Sequence, residues 1–406
     1  MSVDKELAEL MQSVAEKSLK LLTELKSNKK QLPDLLEHYL ELTKQYQNIM
    51  QIFLKNPEKF WEMQMSYWQD AVALAQKQFT HWLSNTPIPI DDKRFSNEAW
   101  VNNPFFNLLS QQYLLASQHM NSFLETVEVK DKNAAKKLQF FTKQYLDALS
   151  PANFLYTNPE IMAETVESKG KNLLRGLQNF LSDLDVDAAG LVIKMTDTEA
   201  FKVGENLATT PGKVIFRNDM MELIQYKPQT KNTYTLPLLI IPPWINKYYI
   251  LDLSPQKSLV EWLVKKGITV FMISWVNPDS SFAKKTLFDY MKEGPLTAIQ
   301  IIKKQLAVKE VNTLGFCIGG TLLALVLAYN KVKKDNSIHS ATYLASMIDF
   351  SDPGDIGVFI DEKQIQSLEK EMKIKGYLPG RMMANSFNSL RANDLIWSAF
   401  IKNYLS

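Results

Sequence analysis

The sequence predicts an α/β protein, a mostly parallel sheet covered by helices and preceded by a mostly helical N-terminal domain. Three observations carry this. Up to about residue 205, apolar residues recur three and four apart with charged residues between them, which is helical spacing. After about Gly204, continuous apolar runs alternate with helical segments, as in a parallel sheet buried on both faces. The passage Gly315-Phe316-Cys317-Ile318-Gly319-Gly320, between a short strand and an apolar helix, sets the only cysteine of the 406 residues on a glycine-flanked turn. The expected organisation is a helical domain over 1–205, a sheet domain over 206–348, and the start of a cap or insertion over 349–406.

In the N-terminal part, Leu7, Leu10, Met11, Val14, Leu21, Leu22 and Leu25 mark a first helix. Gln31-Leu32-Pro33-Asp34 interrupts it, and Pro33 fits a helix start. A second segment runs from about Leu35 to Leu54 and a third from about Pro57 to Leu83. Pro87 and Pro89 then forbid helix. Phe105 to Val127 and Ala134 to Leu149 read as further helices. Ser150-Pro151-Ala152-Asn153 and Thr157-Asn158-Pro159-Glu160 are turn or cap signals. Phe60, Trp61, Met63, Met65, Tyr67, Trp68, Phe79 and Trp82 read as bundle core, with an exposed binding face as the alternative.

In the second part, Lys213–Asn218 and Met221–Tyr226 predict a strand pair joined by a turn. Leu236–Ile241, Thr269–Trp275, Val311–Leu314 and Ser340–Met347 predict buried strands. Leu259–Lys266, closed by Gly267, Leu287–Leu306 and Thr321–Tyr329 predict helices. Strand, Gly-x-Cys-x-Gly and helix together form the nucleophile elbow known from α/β-hydrolases, with a thiol in place of the serine. The alternative is a buried structural cysteine in a crossover turn. In the elbow, the N–H of Ile318 points to the oxyanion site, and the loop after the Leu236–Ile241 strand supplies a second donor at Trp244 or Ile245.

Composition narrows the class. Lys+Arg 46 against Asp+Glu 44 gives no basic surplus, so nothing argues for nucleic acid. A single cysteine cannot make an internal disulfide, which suits a reducing cytoplasmic compartment. The N-terminus lacks the layout of a signal peptide, and the longest apolar run is too short to cross a bilayer.

Several blocks resemble the poly(3-hydroxyalkanoate) synthases. They are Asp92-Lys93-Arg94-Phe95 with Ala99-Trp100, Ser150–Leu155 with Thr157–Glu160, and Leu223-Ile224-Gln225-Tyr226-Lys227-Pro228. The strongest is Pro242-Pro243-Trp244-Ile245-Asn246-Lys247-Tyr248-Tyr249-Ile250-Leu251-Asp252-Leu253. Ser274–Asp279, Gly315–Gly320 and Arg391–Trp397 complete the set. The match runs from about residue 92 to the end. The N-terminal part resembles the class whose single catalytic subunit carries such a domain and favours short-chain substrates. The resemblance implies an acyltransferase that polymerises (R)-3-hydroxyacyl-CoA, with Cys317 as acyl-accepting nucleophile. It implies no cofactor, since the CoA thioester is the substrate. It also implies a homodimer at the surface of cytoplasmic polyester granules, alongside granule proteins. Asp252 stands as a pocket candidate without an assigned chemical step; its alternative is a cap for the helix near Leu253–Leu259.

The chain departs from that family at the base. The partners of an elbow nucleophile follow it in the order Asp, then His, and the family's catalytic Asp and His are expected beyond Ser406. Of His38, His81, His119 and His339, only His339 follows the elbow, at the wrong end of its strand. Asp349 and Asp352 lie at the right sheet edge, but at the start of the family's cap. The expectation is a synthase lacking its C-terminal part and inactive alone. A non-catalytic granule- or partner-binding remnant is the alternative, and a cysteine thioesterase or lactone hydrolase a third reading.

Overall fold

The computed structural model describes residues 9–18, 51, 54–84, 86–129, 131–185, 190–191 and 193–406. The expectations placed on Leu7, Leu21, Leu22, Leu25, Pro33, His38 and most of Leu35–Leu54 lie outside those residues. Two compact units are present. One holds the chain up to Thr196 together with 355–358 and 385–406; the other holds 197–354 and 359–384.

The first unit is helical: α1 (Pro57–Leu83), α2 (Pro104–Thr126), α3 (Lys132–Ala148), α4 (Pro159–Glu167) and α5 (Lys171–Asp183). Its starts are written in the sequence. Pro occupies the first turn of α1, α2 and α4, where no N–H is needed. Asn103, Asp131 and Asn158 accept first-turn N–H groups through their side chains.

The bundle-core reading of the aromatic residues on α1 is corrected. Phe60, Met63 and Tyr67 are half-buried and Ala71 is buried, whereas Trp61, Met65, Trp68, Phe79 and Trp82 are 59–65% exposed. The two sets are offset by one residue, roughly 100° around the helix, so packing against α2 covers one and not the other. Phe60 meets Phe123 of α2 edge-on at 6.4 Å, and Tyr67 meets His119 at 5.8 Å.

A charge-assisted cluster ties the segment after α1 to α2 and α3. The Arg94 guanidinium donates to both oxygens of Asp92 (3.0 and 2.8 Å), to the Tyr113 hydroxyl (2.8 Å) and to Asp147 Oδ1 (3.1 Å). Tyr113 in turn donates to the Leu146 carbonyl at 2.9 Å. Phe95 and Trp100, both fully buried, pack beside it with ring centroids 4.8 Å apart. The return of 385–406 onto this unit was not visible in the sequence. Tyr404 donates to Asp183 Oδ2 (2.8 Å), Asn172 to the Leu405 carbonyl (2.7 Å), and a side chain at Gly176 would collide with the Tyr404 backbone.

The second unit is built on β1 (Gly212–Arg217), β2 (Met221–Tyr226), β3 (Leu238–Ile241), β4 (Val270–Trp275), β5 (Val311–Phe316) and β6 (Ile338–Leu344), in the spatial order β1-β2-β4-β3-β5-β6. The β1–β2 and β2–β4 pairs are antiparallel; β4–β3, β3–β5 and β5–β6 are parallel. Alternation splits each central strand between two cores. Leu239, Ile241, Phe271 and Ile273 pack against α7 (Thr297–Leu306) and α8 (Ile318–Lys333). Leu238, Ile240, Val270 and Met272 pack against the helix Leu259–Lys265 on the other face. The helix expected over Leu287–Leu306 is interrupted by a π-type turn at Lys292–Leu296, where Pro295 lacks an N–H and Gly294 leaves helical geometry. The Trp275 ring fills the space a side chain at Gly294 would need.

The β5–α8 turn depends on three close approaches. A Cβ at Gly315 would lie 2.8 Å from the Gly320 nitrogen, one at Gly319 2.8 Å from the Pro242 carbonyl oxygen, and one at Gly320 2.6 Å from Ser346 Cβ. The first turn of α8 thus rests on the end of β3 and on the residues after β6.

Two outcomes are expected. Arg94→Ala strands two carboxylates and should cost about 3–5 kcal/mol, read from urea denaturation of the full chain. Burial raises the Asp92 pKa, but bonds and charge from Arg94 outweigh it, so the net shift is downward from 3.8. The stability from Asp92 is therefore complete above its unfolded pKa and lost as pH falls through the lower folded value, below 3.8. Gly319→Ala should lower stability by about 3 kcal/mol, because its methyl meets backbone carbonyls that cannot rotate away; a thermal midpoint equal to wild type would refute that packing.

Candidate active site

Backbone geometry makes the site. Cys317, between β5 and α8, takes φ 54° and ψ −128°, a conformation that residues with a Cβ rarely adopt. Its N–H donates to the Leu344 carbonyl at 3.0 Å, and its carbonyl accepts from Gly320 N–H at 2.9 Å. Held this way, the thiol is exposed and not disulfide-bonded. The alternative of a buried structural cysteine is corrected. The surrounding stitches come from the end of β6, where Ser346 Oγ donates to the Gly315 carbonyl (3.2 Å) and Thr321 Oγ1 to the Met347 carbonyl (2.7 Å).

Ile318 is the first residue of α8, so no carbonyl four residues back takes its N–H. The helix dipole adds positive potential at the same point. Parallel pairing sets Ile241 opposite Gly315, so the loop leaving β3 starts beside the elbow. That loop carries Trp244, half-buried, and Ile245, 44% exposed. Among the described residues, no backbone carbonyl accepts from the N–H of either. The loop is anchored at its start, where Trp275 Nε1 donates to the Pro242 carbonyl at 2.8 Å. The Trp244 ring lies 5.1 Å from Tyr290 and 6.1 Å from Trp275, forming an aromatic wall.

Asp252 closes the same loop and is 1% exposed. It does not cap the following helix; Ser258 does, accepting Glu261 N–H at 2.8 Å. Asp252 instead takes hydroxyl hydrogens from Thr210 (2.5 Å) and Ser258 (2.6 Å) on Oδ1, and its carbonyl accepts Ala208 N–H at 3.0 Å. Its Oδ2 and the Tyr226 hydroxyl are both buried without a partner among the described residues. Burial, then the charge of Asp252, then Tyr248 push the Tyr226 phenol well above its ordinary range.

The remaining candidates fall elsewhere. His339 sits near the start of β6, bonded to Glu310 Oε2 at 2.7 Å. The Cys317 N–H meets the other end of that strand, roughly 16 Å away at strand rise. Asp349 and Asp352 are exposed and turned into their own loop, accepting Ser351 N–H (2.9 Å) and Gly354 N–H (3.2 Å). The bonds from Ser351 hold the Asp349 carboxyl below the usual range. Among the described residues, no cluster of His, Cys, Asp or Glu could hold a metal ion, and no helix is long and apolar enough to cross a membrane. Sequence reasoning missed Thr210, Ser258, Trp275 and Tyr226, which meet this loop only through the fold.

Residues 91–263 match the family described as poly-beta-hydroxybutyrate polymerase (PhaC) N-terminus. A poly(3-hydroxyalkanoate) polymerase of Methylorubrum extorquens is 45% identical over 370 residues, covering 90% of this chain and 61% of that protein. The poly(3-hydroxyalkanoate) polymerase subunit PhaC of Rhizobium meliloti is 46% identical over 315 residues, covering 78% of this chain and 52% of that protein. The subunit of the same name from Cupriavidus necator is 38% identical over 354 residues, covering 86% and 59%. The chain thus spans between about half and three fifths of the length of these relatives. Over most of its length the chain is thus similar to the poly(3-hydroxyalkanoate) polymerases.

Proposed function

We propose that Cys317 is the acyl-accepting nucleophile of a polyester-forming acyltransferase that takes (R)-3-hydroxyacyl-CoA. The observation that carries the reading is the exposed thiol held at φ 54° between glycines at the start of α8. In the first step the Cys317 sulfur attacks the thioester carbonyl. The oxyanion is met by the N–H of Ile318 and by one from Trp244 or Ile245, and CoA leaves as its thiolate. The exchange of one thioester for another is nearly energy-neutral, so the bound acyl group stays activated. In the second step the 3-hydroxyl of one unit attacks the acyl-enzyme of another, forming the ester and freeing Cys317. No cofactor takes part. A homodimer at the surface of cytoplasmic polyester granules, among granule proteins, is the setting this chemistry suits.

By the same reading, this chain alone does not polymerise. The one histidine of the sheet unit, His339, is held by Glu310 at the far end of β6, out of reach of Cys317. A second reading, a granule- or partner-binding chain without turnover, draws support from the exposed stripe Trp61, Met65, Trp68, Phe79 and Trp82 on α1.

The test is mass spectrometry of the chain mixed with 3-hydroxybutyryl-CoA. One added hydroxyacyl unit on Cys317 supports the assignment; release of free 3-hydroxybutyrate as the main product would favour a thioesterase. Cys317→Ala should abolish the adduct and Cys317→Ser should reduce it by about 100-fold or more. His339→Gln should leave loading unchanged. Added imidazole should speed loading of the wild-type chain and leave Cys317→Ala unloaded; no acceleration would refute the missing-base argument.

A further inference from the structure

The loop from Pro242 to Asp252 carries the second oxyanion donor of the proposed reaction. It has two anchors of different kind. At its start the Trp275 indole holds the Pro242 carbonyl. At its end a buried carboxylate gathers three separate pieces of chain. Thr210 precedes β1, Ser258 begins the helix Leu259–Lys265, and Tyr226 ends β2. A buried charge needs its lone pairs occupied, and two hydroxyls occupy Oδ1 alone. The orphaned Oδ2 is an acceptor, and the orphaned Tyr226 phenol, whose titration the Asp252 charge already perturbs, is a donor. The two are complementary, a buried acceptor beside a buried donor that feels its charge.

We infer that Asp252 is a positioning residue for the oxyanion loop, holding the Trp244–Ile245 backbone against the elbow through Thr210, Ser258 and Tyr226. A carboxylate suits the role better than an apolar residue. It accepts from several directions at once, so a single side chain ties the loop to the segment before β1 and to the following helix. The Ala208 N–H on the Asp252 carbonyl adds a third tie. Ala208 itself takes φ 52°, an unfavourable backbone held in place by that bond. The inference rests on Cys317 acylation as proposed above.

The test compares two reactions of the same sulfur on the full chain. Acylation by p-nitrophenyl 3-hydroxybutyrate bonds sulfur to the carbonyl carbon, passes through an oxyanion and releases p-nitrophenolate. Alkylation by iodoacetamide bonds sulfur to a methylene carbon, releases iodide and forms no oxyanion. Asp252→Ala should lower the acylation rate about tenfold, a fraction of the loss from deleting an oxyanion donor outright, while alkylation stays at the wild-type rate. Asp252→Asn keeps an acceptor for both hydroxyls and should restore most of the acylation. Thr210→Val, a milder change that keeps the fold if Asp252→Ala does not, should lower acylation about threefold. An unchanged ratio of the two rates in Asp252→Ala, or in Thr210→Val should the former not fold, would overturn the inference. So would an Asn variant as impaired as the Ala variant. A wild-type chain that alkylates but never acylates would instead sink the proposed function.

Discussion

The sheet unit depends on one close approach: the first turn of α8 lies directly on the end of β3. Gly319 makes this contact possible, since any Cβ there would overlap the Ile241 and Pro242 carbonyls. Because helix and strand meet so closely, the chain between β5 and α8 has room for a single residue, and that residue must turn sharply. Cys317 takes the turn at φ 54°. Strain of this kind costs on the order of 1–3 kcal/mol, which the buried cores on both sheet faces can offset several times over. The same approach brings the loop after β3 beside the thiol. Nucleophile position and loop position are therefore one geometric fact.

That loop is then held by neutral donors: an indole at Pro242, hydroxyls and an amide at Asp252. Among the described residues, no ion pair clamps its ends. Lys247, in its middle, is exposed and bonded to Asn277 Oδ1 at 2.8 Å. The helical unit is built the other way. The segment after α1 is joined to α2 and α3 by Arg94 between two carboxylates, with the guanidinium 5.1 Å from the Tyr113 ring centroid. A loop that must present backbone N–H groups to a forming negative charge gains from anchors that leave its own N–H groups free. A junction between helices gains most from directional charge.

Much of the fold was legible in the sequence because its signals are local. Continuous apolar runs located β3 and β4, and glycine spacing located the elbow after the short strand β5. Helical spacing located α1 and α2 to within a residue or two, and Thr157–Glu160 gave a turn or cap signal where α4 begins. What was not legible depends on partners far apart in the chain. Asp252 stands on sequence as a pocket candidate or a helix cap, because a carboxylate shortly before a helix is often a cap; Thr210 and Tyr226 reach it only through the sheet. The aromatic residues of α1 form two stripes one residue apart, and no periodicity says which stripe α2 covers. The interruption at Pro295 was signalled by the proline itself, yet its cause, the Trp275 ring against Gly294, comes from a different strand. Likewise 385–406 reads as part of a cap, and only the missing Cβ of Gly176 hints at where it packs.

Cys317 is best weighed against what a structural residue at the same place would require. A residue kept for packing belongs inside, and a small apolar thiol is among the most buried side chains in proteins. Here the thiol is exposed, so it contributes little to the core. A residue kept for the turn alone would be glycine, which adopts positive φ without strain, as Gly267 and Gly376 do here at φ 83° and 84°. Cysteine at this position accepts the strain and forgoes burial. The property it retains is a polarisable nucleophile at the positive end of a 16-residue helix, beside an N–H that no carbonyl occupies. Strain without packing gain is the pattern of a site shaped by chemistry, and it favours the proposed chemical role of Cys317 over a structural one.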